Sequence, residues 1–365
     1  MTHAWLITGP PGSGRSTAAR AFAQALQCVH PTVVGCGECE GCLAVARGTH
    51  ADVTWIQPEG LQIGIDTARA VVRESAALPT VGRWRIVVIE DADRLTEPAA
   101  NAVLKSVEEP PAHTVIVFCA PSTDPEDFSV TLRSRCRHVY IPTPSVGAVA
   151  DLLVAEGSVS REHAQLAAAA TGAHIGRARI LATQPAVQSR RAKVLGLAEL
   201  VYQQSLAFQE VSGILQAITA EVEEFYKDAE EKELERLLRS LGQGVKGKGA
   251  AKLTRGIKGQ STDLEKAHKR RRTRAERDHL DVALVDLSGI YRDALTRAVG
   301  AEEIALIHPD FERISAELAQ RNSPAALIAC LDAIMQCRDL LSKNVRPQVA
   351  LDGLIGALRS AQGVT

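Results

Sequence analysis

Aromatic side chains are scarce in this 365-residue chain, at 4% of the composition with three tryptophans. Stacking platforms for single-stranded nucleic acid are built from such rings, so few are expected. Charge of one sign is lacking too: 42 Lys and Arg against 43 Asp and Glu leave a net charge of −1. No global attraction to a polyanion follows, only local patches. No run of about 18 apolar residues occurs, so no membrane span is expected. The first residues lack the charged, apolar and small-residue pattern of a leader, which makes an intracellular, cytoplasmic protein the expectation. In that setting eight cysteines point to metal ligands or buried thiols rather than disulfides.

What is present is apolar bulk, 45% of the residues, in a chain long enough for two or three domains. The first 140 residues alternate strand and helix patterns. Ala4–Ile7, Val53–Ile56, Arg85–Glu90, Thr114–Ala120 and His138–Ile141 read as strands, three of them continuous apolar runs of the kind buried in parallel sheets. Asp66 is positioned to cap one intervening helix and Thr96 another, with Pro98 in its first turn and Pro110–Pro111 just past its end. A doubly wound α/β sheet with helices on both faces is the fold expected.

Pro142–Ser145 marks a boundary. Short helical patterns broken at Gly157 and Gly172 follow, then longer ones from about Pro185, where Leu280, Leu284, Leu287, Tyr291 and Leu295 recur at heptad-like spacing. Between about 241 and 277 a glycine-rich stretch passes into KAHKRRRTRAER. Its first part reads as a flexible loop and its basic run as a solvated linker, with DNA or an acidic partner as the sharper alternative.

Three groups of residues carry chemistry. Gly9 to Thr17, GPPGSGRST, lies between the first strand and an apolar helical pattern, the context a phosphate-binding P-loop requires. Gly9, Gly12 and Gly14 let the backbone turn and aim N–H groups at an anion, and Ser16 and Thr17 open the helix. Arg15 stands where the motif has lysine, a planar fork in place of a compact ammonium; ATP or ADP binding is in doubt and hydrolysis more so. At the end of the third strand come Glu90 and Asp91. A P-loop ATPase uses an Asp there for Mg²⁺ and often a following Glu to position water; the order is reversed in this chain, so Asp91 reads as a degenerate base. Finally, Cys28, Cys36, Cys39 and Cys42, with glycines at 35, 37 and 41, can close a tetrahedral structural Zn²⁺ site. An iron–sulfur cluster is the runner-up, lacking the further Cys and Pro that a ferredoxin run needs.

Taken in order, GPPGSGRST, the C-x₇-C-x₂-C-x₂-C insertion, VVIEDADRLTEPAANAVLKSVEEPP and TLRSRC resemble the bacterial clamp-loader subunits of the AAA+ family, nearest the delta-prime type of DNA polymerase III and of actinobacterial character. The resemblance is specific over about residues 4–180. It implies a RecA-like nucleotide-binding-type domain over 1–142 with a zinc module at 28–42, a small helical lid over 143–184, and a helical collar over 185–365 carrying the basic insertion of 241–277. It further implies a hetero-pentameric ring with gamma/tau and delta subunits that acts on the sliding clamp and primer-template DNA. Arg135 of the SRC motif matches the arginine that completes a neighbour's ATP site, and the four cysteines match zinc ligands. The delta-prime type commonly serves as a stator with a degenerate site, in line with Arg15 and Glu90–Asp91. Its own ATPase activity is then weak or absent, though the polymerase complex it joins is an enzyme. In the lid, the resemblance puts a sensor arginine near Gly176, leaving Arg177 and Arg179 as its substitutes. The rivals are a gamma/tau-type ATPase motor and a nucleic-acid-binding zinc protein.

Overall fold

The computed structural model describes residues 2–364 apart from 59, 158, 241–249, 302 and 344. The chain divides into two compact units, residues 1–145 and 146–365.

In the first unit the elements run β1 (Ala4–Thr8), α1 (Arg15–Gln27), α2 (Glu40–Ala46), β2 (Val53–Ile56), α3 (Ile65–Ala76), β3 (Arg85–Ile89), α4 (Glu97–Glu108), β4 (Thr114–Ala120), α5 (Val130–Arg133) and β5 (Arg137–Tyr140). The strands form one parallel sheet in the order β2-β3-β4-β1-β5. Because strand side chains alternate between faces, β1, β3 and β4 each feed two cores. Leu6, Val87, Ile89, Ile116 and Phe118 pack with Ala68, Val71, Val103 and Val107 of α3 and α4. Ile7, Ile86, Val88, Val115 and Val117 pack with Ala19 and Ala23 of α1 and Val45 of α2. Burial on both faces explains why β3 and β4 are unbroken apolar runs.

Three local expectations are corrected. Gly64, not Asp66, is the N-cap of α3, and Asp66 lies in its first turn, where a carboxylate favours the helix dipole. Thr96 is the N-cap of α4 but makes no side-chain cap; its hydroxyl donates to the Ile63 carbonyl at 3.4 Å instead. The last strand is Arg137–Tyr140 rather than 138–141. A buried acid missed at first sight, Asp52, takes four hydrogen bonds of 2.6–2.9 Å from the backbone of Thr80, Val81 and Gly82 and the Thr80 hydroxyl. Although burial opposes its charge, these donors hold its carboxyl down at about 2.

The second unit is all helical: α6 (Val146–Ala155), α7 (Arg161–Ala170), α8 (Ile175–Thr183), α9 (Pro185–Leu200), α10 (Gln204–Ser240), α11 (Ala250–Ala298), α12 (Glu312–Arg321), α13 (Pro324–Ser342) and α14 (Pro347–Ala361). Helices α6 to α8 share a small alanine-rich core, including Ala150, Ala164, Ala167, Ala168 and Ala178. A larger core joins α9 to α14. In α11, Leu280, Leu284, Leu287 and Tyr291 are buried in it as their spacing predicts, and Leu295 packs partly against it.

The expected loop and linker over 241–277 are corrected in part. Residues 241–249 lie outside the described residues, but from Ala250 the chain is helical, and the basic run belongs to α11. It is answered by the acidic stretch of α10, which packs against it antiparallel. Glu233 accepts from His268 at 2.8 Å and from Arg271 at 3.2 Å, and Glu230 lies 3.3 Å from Arg272. The two charge runs neutralise each other along one hairpin.

Candidate functional site

The glycine loop sits at the C-terminal end of β1, between β4 and β5. Gly9 is fixed there by crowding: a Cβ on it would lie 2.3 Å from the Ile141 carbonyl oxygen and 2.5 Å from Ser13 Oγ. Gly12 and Gly14 have φ of 86° and 95°, the left-handed region that favours glycine. Gly14 is the N-cap of α1. It supplies no side-chain cap, and no acid lies in the first turn. The leading amides of α1, at Arg15, Ser16 and Thr17, thus have no carboxylate in their own turn, and the helix dipole adds its positive end. Ser13 Oγ is buried with no hydrogen-bond partner. This donor set fits a phosphate group.

Arg15 changes what the loop can do. Its Nη1 donates to the Gly9 carbonyl at 2.9 Å, so the guanidinium folds back onto the loop that carries it. The acids after β3 lie in the same electrostatic neighbourhood. Burial, then the Asp91 charge, push the Asp93 carboxyl above the usual range, while Arg94 and Arg15 pull it down. Asp91 adopts φ 47°, a left-handed conformation that costs energy in a non-glycine residue. Glu90 accepts from the Gln57 side-chain amide. Arg15, Glu90, Asp91 and Asp93 are thus brought together by the sheet; Mg²⁺ would have to be held among them with Ser16.

Arg135 follows α5 and is exposed. Glu108 of α4 lies 2.5 Å from its guanidinium, the Thr131 carbonyl accepts from it at 2.8 Å, and the Ser134 hydroxyl lies at 3.2 Å. In the second unit, Arg179 donates to Glu156 at 2.8 and 2.5 Å, and Arg177 to Asp286 of α11 at 3.1 Å. Both arginines that follow Gly176 are engaged by acids. A partner 109 residues away, as Asp286 is, leaves no signal in local spacing.

The four cysteines meet at the far end of α1. Their Sγ atoms all lie within 4.8 Å of one another, with Cys28 to Cys36 at 3.7 Å, Cys28 to Cys39 at 3.9 Å and Cys36 to Cys42 at 4.0 Å. A tetrahedral ion with sulfurs at about 2.3 Å sets them about 3.8 Å apart, so the group fits one metal ion. The amide of Cys39 donates to Cys36 Sγ at 3.3 Å and that of Cys42 to Cys39 Sγ at 3.5 Å, stabilising thiolates. Backbone hydrogen bonds from Cys36 and His30 hold Cys28 down at about 6, whereas burial pushes Cys42 up to about 12. A bound cation offsets that burial, because a coordinating thiol is deprotonated. Cys119, buried, and Cys136, half-buried, are thiols pushed up to about 12 by desolvation, and they take no part.

Gln27, the last residue of α1, ties this knuckle to the sheet. Its side chain is buried, donates to the Trp84 carbonyl at 2.6 Å and accepts from the Arg83 amide at 3.2 Å. A Cβ on Gly41 would lie 2.4 Å from the Gln27 carbonyl oxygen, and one on Gly82 would lie 2.1 Å from Gln27 Oε1.

Comparison with known proteins bears on both units. Residues 1–145 match the family model described as DNA polymerase III, delta subunit, and residues 275–355 match that described as DNA polymerase III, delta subunit, C terminal. The delta' subunit of DNA polymerase III from Escherichia coli (strain K12) is 39% identical over 145 residues, 39% of this chain and 43% of that protein. That of Bacillus subtilis (strain 168) is 30% identical over 203 residues, 56% of this chain and 60% of that protein. The gamma/tau subunit from Mycobacterium tuberculosis (strain ATCC 25618 / H37Rv) is 34% identical over 140 residues, 38% of this chain and 24% of that protein. The chain thus spans less than two thirds of the length of each of these relatives. Delta-subunit family models thus match both the sheet-bearing start and the helical end of the chain.

Proposed function

We propose that this chain is the delta-prime-type stator of a bacterial clamp loader, a subunit that shapes the ring and lends Arg135 to a neighbour's ATP rather than hydrolysing its own. The observation that carries the reading is the pairing of opposites in the first unit. Arg15 turns its guanidinium onto the Gly9 carbonyl of its own loop, while Arg135 stands exposed. The Arg135–Glu108 contact is a surface ion pair, worth about 1 kcal/mol or less, so a phosphate presented by another subunit can displace it. An arginine supplied in trans stabilises the charge that develops on the γ-phosphoryl group.

In this reading the first unit is the RecA-like AAA+ domain, α6 to α8 form the lid, and α9 to α14 form the collar of a hetero-pentameric ring with gamma/tau and delta subunits. The ring loads the sliding clamp onto primer-template DNA in the cytoplasm. No described helix is long and apolar enough to cross a membrane. The metal is zinc: four sulfurs closing on one point suit a single tetrahedral ion better than a multi-iron cluster.

A gamma/tau-type motor is the second reading, favoured by the uncapped start of α1 and the orphaned Ser13 hydroxyl. Two measurements separate them. The isolated chain is expected to turn over ATP at background; robust turnover that disappears in Arg15→Ala would establish the motor. In the assembled loader, Arg135→Ala is expected to reduce hydrolysis at the adjacent site by about 10³-fold. An unchanged assembled rate would remove the trans role.

A further inference from the structure

Helices α8 to α11 of the second unit line a cavity of about 550 Å³ that opens to the surface. Packed interiors hold few voids larger than a water molecule, and small-molecule sites occupy roughly 300–1,000 Å³, so this space has the size of a site rather than of a packing flaw. Much of its wall is apolar, with Val187, Val222 and Val282 among the lining residues; Arg177 and His279 also reach it, as do Glu221 and Asp286, paired with Arg190 and Arg177, and the exposed Glu224.

The polar groups there have donors to spare. Arg177 Nη2 is taken up by Asp286, but its Nε is buried without a partner, and so is His279 Nδ1. A guanidinium N–H can only donate, and leaving it unpaired in a dry site is costly. Burial, then the neighbouring Arg190 charge, lower the His279 pKa, while Glu221 and Asp278 oppose them; the ring is therefore kept neutral, with one nitrogen free to donate. At the rim the demand is the reverse. Phe225 is 77% exposed and Ile180 44% exposed, and both line the cavity. Large apolar side chains left in water beside a concave site mark a surface that something covers.

We propose that this cavity binds a single-chain amphiphile with a carboxylate head, the head accepting from Arg177 and His279 and the apolar chain lying along the valines and under Phe225. A carboxylate matches the guanidinium's donors, and a medium-length chain matches the volume.

The test uses the full chain and two probes of equal chain length, decanoate and decan-1-ol, followed by titration calorimetry below micelle-forming concentrations. Decanoate is expected to bind once per chain and about tenfold or more tighter than the alcohol, the discrimination that a charged hydrogen bond provides. Arg177→Gln should abolish that difference and leave alcohol binding unchanged. Val282→Trp should fill the space and abolish binding of both probes. Its thermal unfolding, read by circular dichroism, checks that the fold survives, and Val222→Phe takes its place if it does not. Equal affinity for the two probes, absence of binding by either, or undiminished decanoate binding in a folded, filled variant would each overturn the proposal.

Discussion

Helix α1 begins in the glycine loop at Arg15 and ends at Gln27, one residue before Cys28, so a single rod about 20 Å long carries a site at each end. The cysteine end retains every group its chemistry needs: four sulfurs at tetrahedral spacing, amide donors to two of them, and glycines where the turns are tight. The loop end has a cradle that fits a phosphate, but Arg15 lies on the Gly9 carbonyl, and Glu90 and Asp91 stand in the reverse of the ATPase order. The difference teaches that shape and reactivity separate. A loop whose Gly9 is fixed by crowding against the Ile141 carbonyl keeps its form whatever side chain stands at position 15.

The contrast can be broken most sharply at the metal end. Cys36→Ser is expected to release one zinc per chain and to destabilise the first unit by several kcal/mol, since the binding energy of a structural zinc is folding energy. Metal analysis with calorimetry reads both, and iron in place of zinc would overturn the assignment. Next comes Asp52, which locks the 80–82 loop on the same side of the sheet. Asp52→Asn should cost about 2 kcal/mol near neutral pH, the worth of a carboxyl held near 2 against an ordinary 3.8. A depressed acid stabilises the fold above its unfolded pKa and loses that contribution as pH falls through its folded value. The wild-type chain should therefore lose this increment between about pH 4 and 2 and the variant should not, as urea titrations at several pH values would read. The smallest effect lies at the loop end. Arg15→Lys should raise ATP affinity by about tenfold, about 1.4 kcal/mol, without restoring turnover, because the acids after β3 stay reversed. Unchanged affinity in a nucleotide-binding assay would show that Arg15 is not what the site lacks.

Much of the first unit was legible because its signals are local. The glycine spacing, the cysteine spacing and the apolar runs each lie within a few residues, and the structure brings each set together. The misreadings have a common cause in context. The basic run of α11 looked like a linker because the glycines before it dominated the composition, and only the acidic face of α10 makes it a helix worth burying. Asp66 looked like a cap by residue type, yet Gly64 holds the capping position. Arg177 with Asp286, and Asp52 with Thr80 to Gly82, join residues 28 to 109 positions apart; nothing in the spacing announces them. The α8 to α11 cavity is likewise a product of four helices and invisible in any one.

The buried amide of Gln27 has a consequence for how the metal knuckle could have been acquired or lost. A residue that crowds the knuckle's glycine at 41 with its backbone carbonyl and the loop glycine at 82 with its side-chain amide makes the insertion a graft that has grown into its host. Excising residues 28–48 and closing the gap would leave Gln27 with half its surroundings gone, and transplanting them onto another sheet would require a glutamine at the end of the host helix and a glycine in the place of Gly82 to be waiting. The knuckle is inherited with its strand and loop, or not at all.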